Sequence, residues 1–387
     1  MAEQAKVPAI RFAGFTDPWE QRKLSEVATF GGGHTPPMAD PDNYEDGYVL
    51  WVTSQDVKSN YLDRTTTQIT EKGAKELTLY PAGSLVMVTR SGILRHTLPV
   101  AELRKPSTVN QDIRVILPQG ECCGEWLLQF FISHNKELLL EFGKTGTTVE
   151  SVDFGKIKDM LLYMPSTVEQ QQIGDFFAKL DSLITLHQRK YDKLVIFKKS
   201  MLEKMFPKDG ESVPEIRFAG FTDPWEQRKF SEIVDVCSGR DYKQLDGGPI
   251  PVYGTGGYMT SVSEALSHNR DAIGIGRKGT IDKPYLLKAP FWTVDTLFYA
   301  IPKSDINLEF ALCSFSNVDW KSKDESTGLP SLSKESINET VLSVPNVVEQ
   351  NHLGSFFADL DRLITLHQRK LELLQNIKKS LLDKMFV

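Results

Sequence analysis

Apolar residues recur along this chain in two rhythms, and the slower one stands out twice. Leu353, Phe357, Leu360, Ile364, His367, Leu371, Leu374, Lys378, Leu381 and Met385 follow an alternating four-three spacing. That spacing predicts a coiled-coil seam. Ile173, Phe177, Leu180, Ile184, His187, Tyr191, Leu194, Lys198, Met201 and Met205 repeat the register, with the same His and Lys intrusions. At about 1.5 Å per residue, some 38 helical residues would reach roughly 57 Å. Each run follows a proline and a plausible capping box, Ser166 with Glu169 and Asn346 with Glu349, and each reaches a Met-Phe dipeptide. The two helices can pair with each other, antiparallel, or form a dimer seam between chains. His187 and His367 read as register-setting polar residues, without chemistry.

Between these runs the pattern shortens to strand-like stretches bounded by Gly and Pro. Tyr48 to Thr53, Ser84 to Thr89 and Ile113 to Leu117 are the expected strands upstream of the first run; Ala272 to Ile275 and Thr296 to Ile301 precede the second. Helices are expected near Glu125 to Phe142 and Glu309 to Ser316.

Self-similarity organises the whole. Residues 10–23 read IRFAGFTDPWEQRK, and residues 216–229 repeat those fourteen letters. The segment from Pro165 recurs from Pro345 with many substitutions. The stretches held between, about Leu24 to Met164 and Phe230 to Val344, share little sequence. A common frame therefore holds two unlike inserts, the layout suited to one mechanical role and two recognition tasks; duplication followed by drift is the plainer account. The opening repeat reads as a turn leading into a short helix through Val27, with Trp19 and Trp225 as packing anchors rather than base-stacking residues. The expected fold class is mixed α/β (α+β): two globular recognition domains, 1–164 and 208–344, joined by two long antiparallel helices, 165–207 and 345–387, in a pseudo-twofold repeat.

Polar, glycine-punctuated loops follow the strands. Thr89-Arg90-Ser91-Gly92 and Gly276-Arg277-Lys278-Gly279-Thr280 each offer cations beside small residues. There the backbone can approach a phosphate while Arg reaches a base edge; an ordinary exposed hairpin has the same composition. The candidate DNA-contacting residues are Thr35, Ser54, Arg90, Ser91, Lys144 and Thr145 in the first module. In the second they are Tyr253, Thr255, Arg277, Lys278, Thr280 and Thr327. Further loop candidates are Gly31 to His34, Gln55, Thr147, Thr148, Gly254, Gly256 to Tyr258, Ser326 and Gly328.

The net charge of -6 argues against a nucleic-acid partner, but 45 Lys and Arg suffice to line one face, and net charge does not say where charges lie. Four cysteines without a C-x-x-C spacing suggest reduced thiols, neither a disulfide framework nor a zinc site. No apolar stretch is long enough to span a bilayer and the first residues carry no signal pattern, so a soluble cytoplasmic protein is expected, with no membrane partner.

Enzyme motifs fail on inspection. Gly274, Gly276 and Gly279 satisfy G-x-G-x-x-G, but Lys283-Pro284 follows where a dinucleotide site needs a helix. Gly143-Lys144-Thr145 has Leu138 in place of the leading P-loop glycine, and Thr35-Pro36-Pro37-Met38 lacks both ends of an amino-methyltransferase motif. Asp42 and Glu45 have no Glu-x-Lys companion for a nuclease centre. A non-catalytic chain is expected. The alternatives are a coiled-coil scaffold whose modules bind proteins or glycans, and a DNA enzyme with an unrecognised centre.

In its order of repeat, insert, helix, repeat, insert, helix the chain resembles the specificity subunits of type I restriction-modification systems. Each helix opens with Pro-x-x-x-Glu-Gln, here Pro165 to Gln170 and Pro345 to Gln350. The resemblance covers essentially the whole chain. It implies that each recognition domain reads one half of a split site in double-stranded DNA while the helices set the unread gap. Methyltransferase (M) subunits and restriction-translocation (R) subunits are the partners it implies. They, and not this chain, would carry S-adenosylmethionine, ATP and magnesium, and would methylate adenine or cut.

Overall fold

The computed structural model describes residues 7–146, 149–208 and 210–386. Contacts divide the chain into two compact units, Met1–Leu186 with Lys370–Val387, and His187–Arg369. Each unit therefore holds one insert, the first half of the helix that follows it, and the last half of the other helix. Packing groups the helices with the modules rather than apart from them.

In the first unit a five-stranded sheet runs in the order Ala28–Gly32, Ile113–Pro118, Leu85–Val88, Val100–Leu103, Tyr61–Leu62. A three-stranded sheet, Gln68–Ile69, Val49–Val52, Thr108–Val109, lies beside it. Leu85-Val86-Met87-Val88 reads as an unbroken apolar run because both of its faces are covered. Leu85 and Met87 join the cluster built on Trp126 and Phe131, while Val86 and Val88 join the one containing Val52 and Val109.

The second unit repeats the plan with fewer strands. Val234–Ser238, Leu297–Pro302, Ala272–Gly276 and Tyr285–Leu287 form one sheet; Gly257–Val262, Ile250–Gly254 and Trp292–Thr293 form the other. In each small sheet one pair is parallel, Val52 with Val109 and Tyr253 with Thr293.

The long helices span Thr167–Met205 and Val347–Met385. Every residue of the expected seam is buried or half-buried. Within each unit the two helical segments run antiparallel: Asp181 meets Lys378 in the first, and His187 meets His367 and Lys198 meets Asp361 in the second. The intruding lysines are thus explained by aspartates on the opposite helix, each pair being the image of the other in the repeat. The histidines face each other, Nδ1 to Nδ1 at 3.0 Å.

The Met-Phe ends close the cores. Phe386 stacks on Trp126 with centroids 6.2 Å apart and touches Phe177 in the first unit. Phe206 stacks on Phe310 at 5.7 Å and packs on Trp225 and Phe357 in the second. Trp19 and Trp225 are buried anchors, as expected.

Three expectations are corrected. Glu20–Lys23 is a strand, not the start of a helix, pairing antiparallel with Leu161–Met164; only Leu24–Val27 is helical. Glu226–Lys229 pairs likewise with Val341–Val344. The partner strands come from the far end of each module, which local periodicity cannot reveal. The expected helix over Glu125 to Phe142 is two helices, Gly124–Ser133 and Asn135–Phe142, broken at His134 with ψ near 12°.

The capping boxes are half-formed. Ser166 Oγ and Asn346 Oδ1 accept the amide N–H groups of Glu169 and Glu349 at 3.4 and 3.0 Å. The two carboxylates, however, face Arg11 and Arg217, in forked pairs of 2.7 to 2.8 Å. Gln170 Nε2 donates to Pro165 O, and its Oε1 accepts from Cys123 N–H; Gln350 does the same with Pro345 and Asn307. The Pro-x-x-x-Glu-Gln pattern is thus a joint that ties helix start, opening repeat and insert together.

Near the first joint, Glu102 is buried beside Glu125, and these two influences outweigh Arg104, raising its pKa to about 7. A carboxyl whose folded pKa is raised binds more protons folded than unfolded between its ordinary value and about 7, so stability falls as pH rises through that window. Glu102→Gln should flatten this slope, checked by urea midpoints from pH 5 to pH 8; an unchanged slope would show that Glu102 is ionised throughout.

Among the described residues no helix is long and apolar enough to cross a membrane, and no group of three or more His, Cys, Asp or Glu could hold a metal ion.

Candidate nucleic-acid interface

Strand register aligns the two modules where their sequences do not. Phe30 and Val236 hold the same place in the repeated frame and pair with Ile116 and Ala300. Those residues face Leu85 and Ile273 on the next strand. Following both strands to their ends makes Thr89, Arg90 and Ser91 the counterparts of Arg277, Lys278 and Gly279.

The backbone bonds agree at every step. Thr89 N–H donates to Asp112 O and Arg277 N–H to Thr296 O, both at 2.8 Å. Arg90 bridges to Ser151, and Lys278 to Ser331. Ser91 N–H donates to Glu150 O, as Gly279 N–H does to Pro330 O. Val152 and Leu332 return N–H donors to Thr89 O and Arg277 O, both at 3.0 Å. Two loops of unlike sequence therefore share one scaffold, and Arg90 corresponds to Lys278 rather than to Arg277.

In the first module Arg90 is exposed at this crossing. Ser91 caps the short turn Gly92–Arg95, accepting from Ile93 N–H. Lys144 lies on the strand that pairs with Ser151, so the structure brings it to the same loops, but its amine is held by Asp153 at 2.8 Å. That hydrogen bond keeps the Asp153 carboxyl below its usual range. Thr145 is exposed next to it; Thr147 and Thr148 lie outside the described residues. Thr35 Oγ1 donates to Gln111 Oε1 at 2.6 Å, which joins the loop of Thr35 to the turn Asn110–Asp112 that supports Thr89. Ser54 is half-buried after Thr53, whose N–H and hydroxyl both donate to Asp56.

In the second module the expected loops also converge. A side chain at Gly279 would begin 3.8 Å from Thr255 Oγ1, and the bridge to Ser331 brings in the loop of exposed Thr327. A Cβ on Gly276 would stand 2.0 Å from Thr280 O, so only glycine permits the turn that presents Arg277 and Lys278. The Arg277 guanidinium lies over the Phe298 ring at 5.8 Å and points Nη1 at Asp295 O. Tyr253 is less free than expected, wedged between Tyr258 and Tyr285, while Tyr285 Oη donates to Gly254 O.

Sequence reading missed the turn Asn110–Asp112 and its counterpart Val294–Thr296. Asn110 N–H donates to Val52 O and Val294 N–H to Tyr253 O, both at 3.0 Å. Polar residues directly after Thr108–Val109, and one position later, at Asp295 and Thr296, after Trp292–Thr293, were the available signal. Exposed Gln111 adds an amide, which can both donate and accept at a base edge. A small cationic crest flanked by hydroxyls and an amide suits phosphate positioning together with base reading.

A family model described as type I restriction modification DNA specificity domain matches residues 16–195 and again 222–376. The specificity subunit of the type I restriction enzyme EcoR124I/EcoR124II of Escherichia coli is 29% identical over 186 residues, 45% of this chain and 46% of that protein. The MjaIX specificity subunit of Methanocaldococcus jannaschii is 27% identical over 241 residues, 59% of this chain and 54% of that protein. The chain thus spans about half the length of these two relatives. A crystal structure of the type I restriction-modification S subunit from M. genitalium shares the fold, with a TM-score of 0.68 at 16% identity over 99% of both chains. Matched twice and over most of its length, the chain belongs to the type I restriction modification DNA specificity domain family.

Proposed function

We propose that the chain is the non-catalytic, DNA-reading subunit of a type I restriction-modification complex in the cytoplasm, each module reading one half of a gapped site in duplex DNA. In this reading methyltransferase subunits bring S-adenosylmethionine and methylate adenine, and restriction-translocation subunits bring ATP and magnesium. The observation that carries it is the matched backbone around Arg90 and Lys278 bearing unlike side chains. A constant support with variable tips is what two different half-sites require. Thr35, Ser54, Arg90, Ser91, Lys144 and Thr145 are the proposed contacts of one half-site. Tyr253, Thr255, Arg277, Lys278, Thr280 and Thr327 are those of the other.

A base-resolution methylation map of cells expressing the chain with its methyltransferase partner tests this. A split motif appearing only with the chain supports the reading; an assembled complex that adds no motif refutes it. Binding to duplex should also weaken linearly in log affinity against log salt.

Arg277→Ala should relax discrimination in one half-site by about 1–3 kcal/mol and leave the other unchanged, measured by competition among singly substituted duplexes. Equal loss in both halves would show that the modules do not read independently. A heptad inserted at matching places in both long helices adds roughly 10 Å of helix. The tolerated gap should then grow by about three base pairs, with both half-site sequences kept.

A further inference from the structure

The two modules differ at one edge of the larger sheet. In the first, Tyr61–Leu62 adds a fifth strand, parallel to Val100–Leu103. Glu102 N–H donates to Asn60 O at 2.8 Å and Arg104 N–H to Leu62 O at 2.7 Å. The side chains of this strand dock on the helices. Asn60 Nδ2 and Tyr61 Oη reach Asp181 at 3.0 and 3.4 Å, Tyr61 Oη also reaches Glu125 at 3.1 Å, and Arg104 covers the Tyr61 ring at 4.0 Å.

The second module keeps the receiving groups without the strand. Register places Leu286 and Lys288 where Glu102 and Arg104 stand, since Ile273 faces Leu286 as Leu85 faces Glu102. The repeat places Asp361 and Lys198 where Asp181 and Lys378 stand. The shared joint, Cys123 with Gln170 and Asn307 with Gln350, sets Glu309 in the place of Glu125. Yet Tyr285–Leu287 is the last strand of its sheet. Beside it opens a groove of about 360 Å³, lined among others by Lys198, Tyr285, Leu286, Glu309, Cys313 and Asp361. That volume is within the range of ligand-sized sites. Asp361, half-exposed, bonds Lys198 through both oxygens, but receives none of the donors that Asn60 and Tyr61 give Asp181. Burial raises the Glu309 carboxyl, with Lys288 opposing the shift.

We infer that this groove and the open edge of Tyr285–Leu287 receive an extended segment of a partner protein, which adds a strand to the sheet and presents an Asn-Tyr pair, or equivalent donors, to Asp361 and Glu309. The first module shows the chemistry of the occupant: outward N–H groups of the edge give register and the paired carboxylates give selectivity. The inference stands apart from the DNA reading, because the groove involves none of the residues proposed to contact DNA.

The probe is a fluorescein-labelled peptide of residues 57–65, VKSNYLDRT, titrated with the full chain and followed by anisotropy. Saturable binding is expected, weakened about tenfold or more by Asp361→Ala, which removes a charged acceptor. Leu286→Pro, which deletes an outward N–H at an edge that tolerates proline, should weaken it comparably, as should tyrosine-to-alanine in the peptide. Absence of saturation overturns the inference. So does binding that Asp361→Ala leaves unchanged, the result expected if the peptide only displaced its own copy in the first module.

Discussion

Asp181→Ala should destabilise the unit that holds the first module by about 3–5 kcal/mol, whereas the repeat-equivalent Asp361→Ala should cost about 1 kcal/mol or less. The chemistry is the same in both pairs and the surroundings are not. Asp181 and Lys378 are 7% and 8% exposed. The Asp181 carboxylate receives Lys378 at 2.7 and 2.8 Å together with Asn60, Tyr61 and Gln129. Burial already lowers the Lys378 pKa, with Asp181 opposing the shift. Removing the carboxylate leaves that ammonium and the buried Gln129 amide without their acceptor, while half-buried Asn60 loses a partner and Tyr61 keeps Glu125, so the desolvation penalty falls mainly on Lys378. At the second pair, side chains 24% and 43% exposed can turn to water. Urea unfolding of the whole chain, with separate tryptophan probes for the two units, decides the matter. Similar losses in the two variants would mean that pairing across the seam, rather than burial, sets the energy.

Phe386→Ala should cost the same unit about 3–5 kcal/mol, the range for truncating a buried aromatic. Phe386 is 7% exposed and sits among Trp126, Phe177 and His134. The cavity left would be walled by residues from the insert and from the start of the other helix, which cannot collapse together without moving the joint at Gln170. Phe197→Ala, on a helix but 44% exposed, is the control and should stay within about 0.5 kcal/mol. Thermal unfolding of both variants beside the parent chain measures the contrast. A small effect at Phe386 would mean that the helix end frays and contributes little to the core.

The seam, the repeat and most strands could be read from the sequence because each rests on local periodicity or on letters repeated in order. Leu85–Val88, Ile113–Pro118 and Ala272–Gly276 are apolar runs whose burial on both faces leaves a mark in composition. Glu20–Lys23 leaves none, being an exposed polar strand defined only by a partner about 140 positions away. The equivalence of Arg90 with Lys278 was equally illegible. It is carried by main-chain donors and acceptors, which every residue other than proline possesses, so no side chain announces it. The role of Glu169 and Gln170 lay between the two cases. Their repetition marked them, but that the carboxylate clamps Arg11 instead of closing a capping box depended on a residue 158 positions earlier.

The joint makes one demand on whatever lies between the repeats. Gln170 takes an amide hydrogen from Cys123 and Gln350 takes one from Asn307, two residues with nothing in common beyond the main chain. Glu169 and Glu349 are satisfied wholly by arginines of the repeats. At the joint itself an insert therefore offers a correctly placed peptide group, and beyond the joint it must supply an aromatic, Trp126 or Phe310, to meet the helix end. Such a socket suits foreign cargo, and a lineage that exchanges one insert for another by recombination would, on the function proposed above, change the specificity of one half of the molecule in a single event, with the helices and the other half inherited unaltered.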